Sequence, residues 1–317
     1  MSKRPALVTG ASGFAGGHLI GHLLEHDTDV VAWGNPATVA VPPLGRGRVQ
    51  CTPVDVTDAV AVAEALRGVH PSAVYHCAGF ADVHRSWTEP AQALRVNAFG
   101  THVLLSALAA AGCDAPVVVT GSALVYRPSR APLDETSPIG PSGPYAVSKL
   151  AQEMVALAAP GRPIVVRPFN HAGPRQSDAY VTSSFARQIA EAEAGLREPV
   201  LRVGNLDAWR DITDVRDTVR AYRLLAERGS PGRAYNVCRG QAYRVRDLLD
   251  TLVGCSNVSI TVAVDPSRLR PSDNPVILGS AARLEQETGW RPAIPIERTL
   301  GDLLDYWREV VRQGIES

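Results

Sequence analysis

The chain is nearly without lysine. Of its 32 basic residues only Lys3 and Lys149 are lysines, and the rest are arginines. Arginine cannot stand in where a compact, rotatable ammonium must donate to several acceptors in a crowded site, so a lysine held at position 149 is a candidate for chemistry. Net charge is lacking too: 32 basic residues balance 32 acidic ones. No global field then draws in nucleic acid or an anionic membrane, and any bound anion must be held by local groups. Cysteine is sparse. Cys51, Cys77, Cys113, Cys238 and Cys255 are odd in number, scattered and never in C-x-x-C spacing, which predicts reduced core residues. There is no apolar run of bilayer length and no charged, apolar, cleavable leader, so the expectation is a cytoplasmic protein with no membrane partner. His18, His22 and His26 recur at i, i+4 and i+8, but no cysteine or carboxylate cluster completes a metal site around them. They read as one helix face, and no metal is expected.

What the chain does have is an alternating rhythm. Short β-branched runs (Ala6-Leu7-Val8, Val30-Val31-Ala32, residues 49–54, Ala73-Val74-Tyr75, Val117-Val118-Val119, Ile164-Val165-Val166) are separated by amphipathic stretches at 16–25, 59–66, 96–110 and 146–158. Strand, helix, strand in that order predicts an α/β fold, a doubly wound parallel sheet of Rossmann type with helices on both faces. After Pro168 the rhythm loosens, then returns with a helix near 215–226 and a strand near 234–237. This predicts a dinucleotide-binding domain from residues 1–168 and 207–238, and a smaller mixed α/β substrate-binding lobe from 169–206 and 239–317. The Pro- and Gly-rich stretch 36–47 reads as a surface loop. Ligands of such folds sit between the lobes at the carboxyl ends of the strands.

Three motifs carry chemistry. Thr9-Gly10-Ala11-Ser12-Gly13-Phe14-Ala15-Gly16 follows the first strand and opens the first helix. There Gly10 allows the tight turn, Gly13 lets backbone N–H groups approach a pyrophosphate, and Gly16 lets helix pack on strand. The second strand ends at Ala32-Trp33-Gly34-Asn35, without the carboxylate that usually accepts from the adenosine ribose of NAD. A 2′-phosphate would not be repelled, so NADP(H) is favoured and NAD(H) remains open. Asp55 can accept from the adenine amino group or cap a helix.

Tyr145-Ala146-Val147-Ser148-Lys149 places a phenol and the scarce ammonium on one helix face. With eight tyrosines and two lysines, only about 0.05 such pairs arise by chance. A phenol of pKa near 10 works poorly at neutral pH until a cation stabilises its phenolate. Lowering that pKa by about three units takes roughly 4 kcal/mol, expected here from Lys149 and an oxidised cofactor ring. Upstream, Val117-Val118-Val119-Thr120-Gly121-Ser122 runs to a strand end where Ser122 can hydrogen-bond a reacting oxygen. Asn97 is expected to fix a water or a backbone group near Lys149.

These residues, in this order and separation, resemble the extended short-chain dehydrogenase/reductase family of the epimerase/dehydratase type. The likeness covers nearly the whole chain. The strings Arg167-Pro168-Phe169-Asn170-His171-Ala172-Gly173-Pro174, Ser184-Phe185-Ala186-Arg187-Gln188-Ile189, Val203-Gly204-Asn205-Leu206, Arg210-Asp211-Ile212-Thr213-Asp214-Val215-Arg216-Asp217 and Arg268-Leu269-Arg270-Pro271-Ser272-Asp273 are similar to the GDP-4-keto-6-deoxy-D-mannose reductases. The resemblance implies a catalytic set of Ser122, Tyr145 and Lys149. It implies a cofactor site of Gly10, Ser12, Gly13, Phe14, Ala15, Gly16, Asp55, Val56, Ala78 and Asn97, with Tyr145 and Lys149. It implies that Asn170, Arg210 and Arg270 hold a diphosphate, with Asp273 near the nucleotide ribose and Ser86, Arg187 and Asn205 completing the sugar-nucleotide site. The partner implied is a GDP-linked deoxysugar, and helices 96–110 and 146–158 resemble those that pair into a homodimer.

One departure bears on the reaction. After Ser122 come Ala123 and Leu124, where a 4,6-dehydratase needs a carboxylate to take the C5 proton. The expectation is therefore C4 ketone reduction to GDP-D-rhamnose or its C4 epimer. The rivals are an epimerase with permanently bound NAD⁺ and, more remotely, a non-catalytic dinucleotide sensor.

Overall fold

The computed structural model describes residues 4–34, 48–268 and 274–316. The first half alternates as the sequence pattern requires: β1 (Ala6–Thr9), α1 (Phe14–Glu25), β2 (Val30–Gly34), β3 (Val49–Pro53), α2 (Ala59–Ala65), β4 (Ala73–His76), α3 (Pro90–Leu94), α4 (Gly100–Ala110), β5 (Val117–Thr120), α5 (Pro144–Ala158) and β6 (Ile164–Pro168). Then come β7 (Asn170–Ala172), α6 (Val181–Glu193), β8 (Val200–Val203), β9 (Trp209–Asp214), α7 (Val215–Arg228), β10 (Ala234–Val237), β11 (Ala242–Arg244), α8 (Val245–Gly254), β12 (Thr261–Val264), β13 (Val276–Ile277), α9 (Ala282–Thr288) and α10 (Ile296–Glu316). Seven parallel strands form the main sheet in the order β10-β6-β5-β4-β1-β2-β3. The order reverses between β1 and β4, and a crevice opens there at the carboxyl ends.

Alternate residues of each strand feed opposite faces, as the pleat dictates. Val8, Ala32, Tyr75, Val118 and Val166 pack under α1 and α7, whereas Leu7, Val31, Trp33, Val74, Val119 and Val165 pack under α2, α4 and α5. A second core, including Phe185, Ile189, Leu201, Leu249 and Leu304, closes the smaller lobe.

Four expectations need correction. The cysteines are not all core residues: Cys51 and Cys255 are exposed, Cys77 and Cys113 are half-buried, and Cys238 alone of the five is buried. The dinucleotide-binding segment does not begin at 207: β9 pairs with β7, β11 and β13 in the lobe's sheet, and the chain returns to the main body at Asp214. Asp214 caps α7 by accepting from the Arg216 N–H at 2.8 Å, so strand runs into helix with no loop to mark the border. Nor does all of 239–317 belong to the lobe, since Leu284 and Trp290 lie in the main core beside α7. The helix expected at 96–110 starts earlier. A π turn over Arg95–Phe99 joins α3 to α4, giving one helix, Pro90–Ala110, that is long and apolar enough by length and composition to cross a membrane. It packs its apolar residues Val103, Leu104, Leu105 and Leu108 into the core of the main sheet, which accounts for the composition.

Candidate active site

A cleft of about 1470 Å³ lies between the lobes at the carboxyl ends of the main strands. Its floor is built from the glycine turn. Gly10 has φ +66, and a Cβ there would stand 2.5 Å from the Ala78 nitrogen; a Cβ on Gly16 would stand 2.2 Å from the Gly10 carbonyl oxygen. Only glycine fits either position. Gly13 caps α1 without a side-chain hydrogen bond and the first turn carries no acidic residue, so the positive end of the helix opens onto the cleft. That is an anion site of the right size and sign for a dinucleotide's pyrophosphate.

Above this floor stand Ser122, Tyr145 and Lys149, all lining the cleft. Lys149 is buried and donates to the Thr120 carbonyl and the Gln152 Oε1, each at 2.9 Å. Burial lowers its pKa to about 8. Ser122, two residues beyond β5, accepts from the Leu124 N–H at 3.1 Å and lies beside the Tyr145 phenol. Only part of Tyr145 is open to the cleft. Burial pushes its phenol up from the ordinary value, with a smaller push from the phenol of Tyr180, and the Ser122 hydroxyl opposes both. The expected lowering by Lys149 is therefore not a property of the protein alone. Two of the three ammonium N–H groups go to Thr120 and Gln152, and desolvation dominates at the phenol. Beneath the site His76 is fully buried and held neutral, its pKa lowered to about 3 by burial. The neighbouring Cys77 thiol is pushed up to about 12.

Of the residues singled out in the sequence, Gly10, Ser12, Gly13, Phe14, Ala15, Gly16, Asp55, Val56, Ala78, Asn170, Asn205 and Arg210 also line the cleft. Asp55 turns one oxygen to the Thr57 N–H and hydroxyl at 2.8 and 2.9 Å, while Asp58 is the residue that caps α2. Arg210 is half-buried, its guanidinium anchored on the Trp209 and Asn274 carbonyls at 2.8 and 3.1 Å.

Three others are not part of the lining. Asn97 lies behind it, its Oδ1 accepting from the Phe80 N–H at 2.7 Å and its Nδ2 donating to the Ser148 hydroxyl at 2.8 Å, so it fixes backbone beside Lys149. Ser86 is buried and donates to the Val83 carbonyl at 2.6 Å. Arg187 is paired with Asp178 and Glu191 and lies over the Trp307 ring, a role its position in the motif could not reveal. Arg270 and Asp273, like Asn35 and the loop 36–47, lie outside the described residues. The sequence reading missed Arg202 and Arg268, which add cations to the lobe side, and Trp87 and Tyr180, which add aromatic surface near the catalytic residues. It also missed His171, whose ring stacks on Phe14 with centroids 5.6 Å apart. Among the described residues no cluster of metal-ligating side chains occurs, and the three helix histidines bond to protein groups, His18 to the Pro174 carbonyl, His22 to Arg223 and His26 to the His22 carbonyl.

Comparison with known proteins matches the description of GDP-mannose 4,6 dehydratase over residues 7–303. The chain is 37% identical over 313 residues to the GDP-6-deoxy-D-mannose reductase of Pseudomonas aeruginosa, covering 96% of this chain and 98% of that protein. Among solved structures, RMD from Pseudomonas aeruginosa complexed with NADPH superposes with a TM-score of 0.86 at 35% identity, covering 97% of this chain and all of the other. The UDP-glucose 4-epimerase of Thermus thermophilus in complex with NAD gives a TM-score of 0.81 at 28% identity, over 96% of this chain and 99% of the other. Since these matches take in both lobes and the cleft between them, the chain belongs to the GDP-mannose 4,6-dehydratase family, within the extended short-chain dehydrogenase/reductases.

Proposed function

We propose that this enzyme reduces the C4 ketone of GDP-4-keto-6-deoxy-D-mannose, with NADPH preferred over NADH, to give GDP-D-rhamnose. The observation that carries the reading is the turn after Ser122. Ala123 and Leu124 stand where a dehydratase needs a base, and the described lining of the cleft holds only two carboxylates, Asp55 and Asp178. Asp55 sits with the glycine turn and β2, and Asp178 is paired with Arg187. The glycine turn and the N-terminus of α1 suit the pyrophosphate of the nicotinamide cofactor, which supplies the hydride when bound. Gly34 ends β2 at the cleft, where a carboxylate would oppose a 2′-phosphate.

In this reading Ser122 orients the ketone oxygen and Tyr145 delivers the proton to it. The raised pKa of Tyr145 suits that direction, since burial keeps the phenol protonated at neutral pH and reduction needs a proton donor. Lys149 then stabilises the phenolate left behind. Arg210, with Arg202 and Arg268, holds the diphosphate by charge-assisted hydrogen bonds.

The test is to make the keto sugar with a separate dehydratase, add this protein and NADPH, and read the product by NMR. A large H3–H4 coupling is the expected rhamno result and a small one marks the talo epimer. Release of a 4-keto-6-deoxy sugar from GDP-mannose by this protein alone would overturn the reading. So would failure to consume NADPH with any such keto sugar, and copurified NAD⁺ would then assign an epimerase.

Two further outcomes are expected. Arg210→Ala should raise KM for the sugar nucleotide at least about tenfold and leave KM for NADPH within about twofold, as loss of a phosphate anchor requires. The pH dependence follows from Lys149, which must be protonated to act and whose pKa in the cofactor-free protein is lowered to about 8. The kcat/KM for NADPH should therefore fall as pH rises through about 8. Tyr145 and Cys77, both raised, stay protonated there and do not supply that limb.

We further propose a homodimer packed through the outer face of α3 to α5, where Leu94, Phe99, Val147 and Met154 are exposed apolar residues. Light scattering on the purified protein checks it, and a monomer at micromolar concentration would refute it.

A further inference from the structure

Lys149 is held by a residue that the triad does not name. Gln152 lies on α5 one turn beyond it, has no exposed surface, and accepts from the Lys149 ammonium at 2.9 Å. Its amide nitrogen donates to the Thr101 hydroxyl at 3.1 Å. The Thr101 hydroxyl in turn donates to the Asn97 carbonyl at 2.6 Å, using its one proton. The remaining partner of Thr101, the His76 Nε2 at 2.9 Å, must then be a donor, which fixes the neutral imidazole as the Nε2–H tautomer. His76 Nδ1 accepts from the Thr9 hydroxyl at 2.7 Å, and Thr9 accepts from the Ala78 N–H at 3.1 Å. Every donor and acceptor along this line is matched in one direction only. The chain runs from the end of β1, under the cleft floor, to the catalytic lysine.

A neutral chain of this kind has two consequences. The Gln152 amide cannot turn over without leaving two buried donors, the ammonium and the reversed amide, facing the wrong atoms. The ammonium, bonded to Thr120 and Gln152, is left with its third N–H for a ligand in the cleft. We propose that Gln152 is the positioning residue of this active site, aiming the Lys149 ammonium into the cleft and stabilising its charge through a hydrogen-bond relay anchored on Thr101, His76 and Thr9. The role belongs to the lysine and holds whichever keto sugar is reduced.

The groups facing Lys149 are few. Cys77 and, behind Thr101, His76 face it from β4 and the turn after it. Tyr145 lies one turn before it on α5, and β5 and the π turn present only the neutral Thr120 and Asn97. Glu153, next to Gln152, is directed at Arg167. Replacing Gln152 therefore changes the side chain that accepts a hydrogen bond from this ammonium, its other acceptor being the Thr120 backbone carbonyl.

The scarcity of lysine makes the test direct. Protein grown with lysine labelled with ¹³C at Cε gives two side-chain signals, and Lys3→Arg assigns the one from Lys149. Titration of the cofactor-free protein reads that lysine without reference to turnover. In Gln152→Leu, which removes the acceptor but keeps the volume, the Lys149 midpoint should move down by about one pH unit or more, since the charged form loses a hydrogen bond. In Gln152→Glu, which keeps the shape and adds a negative charge, it should move up by a similar amount. Thr101→Val, which frees the Gln152 amide, should move it down by less.

The alkaline limb of kcat/KM for NADPH should follow the same order, with kcat of Gln152→Leu reduced about tenfold and KM for the sugar nucleotide unchanged. A purely structural Gln152 would lower stability in both substitutions and leave the Lys149 midpoint where it was. Coincident midpoints in the wild type, Gln152→Leu and Gln152→Glu would overturn the proposal.

Discussion

Tyr145→Phe is expected to lower kcat at least about a hundredfold while leaving KM for the sugar nucleotide within about threefold. A hundredfold loss corresponds to about 2.7 kcal/mol of transition-state stabilisation, within the usual contribution of a positioned general acid. The substitution removes one hydroxyl beside Ser122, so the ring and its packing stay in place. What is lost is the proton at the cleft, and the alkoxide formed at C4 must then take one from water. Lys149→Arg should cost as much. Lys149 reaches the Thr120 carbonyl and Gln152 from a position crowded on the Gly79 side, where a Cβ on Gly79 would stand 3.1 Å from its Nζ, and a longer planar guanidinium cannot reproduce both bonds there. Steady-state kinetics with circular dichroism as a control on folding decide both. Near-normal turnover of Lys149→Arg would sink the argument drawn from a chain whose only other lysine is Lys3.

The parts of the molecule legible in the sequence are those whose cause is local. β1 to β6 are runs of β-branched residues, the glycine turn answers to clashes a few residues away, and Tyr145 and Lys149 share a helix face by spacing alone. What was not legible depends on partners far along the chain. β9 is polar on paper because Asp211 and Asp214 spend their oxygens inside, Asp211 on the Arg239 and Gly240 N–H groups at 2.8 and 2.9 Å, which no periodicity reports. Arg187 sits in a motif string yet faces Asp178 and Glu191. Asn97 was tied correctly to the neighbourhood of Lys149, but the π turn that turns it toward Phe80 has no sequence signature. Burial of the Tyr145 phenol was likewise not legible, because spacing shows the nearby cation and conceals the desolvation that raises the pKa in the cofactor-free protein. Gln152 escaped for the same reason: its function is set by Thr101, which is brought beneath it by a different helix.

The other large effect is expected outside the catalytic set, at the ion pair of Arg167 and Glu153. Both side chains are almost fully buried, at 7% and 5% exposure, and the pair is bidentate, with the Arg167 Nε donating to Glu153 at 2.9 Å and a second bond from its Nη2. The remaining nitrogen donates to the Tyr126 hydroxyl at 2.8 Å, which donates onward to Asn236 at 2.7 Å. Asn236 holds the Leu133 carbonyl at 2.9 Å, so one guanidinium ties α5, β6, β10 and the segment after Ser122 together. Arg167→Met keeps most of the volume but leaves Glu153 charged, buried and alone. Removing one partner of such a pair costs about 3–5 kcal/mol, because the surviving charge keeps its desolvation penalty without its attraction. In a chain of this size that is a fall in melting temperature on the order of 5–10 °C. The double replacement Arg167→Met with Glu153→Leu should recover most of the loss, since an apolar pair of similar volume needs no charge compensated. The effect should also persist in 0.5 M salt, which screens exposed pairs and hardly reaches a buried one. Thermal unfolding of the two single variants and the double variant measures the coupling. If Arg167→Met costs less than about 1 kcal/mol, or if the double variant is no more stable than the single one, the pair does not bind α5 to β6 in the way its geometry implies.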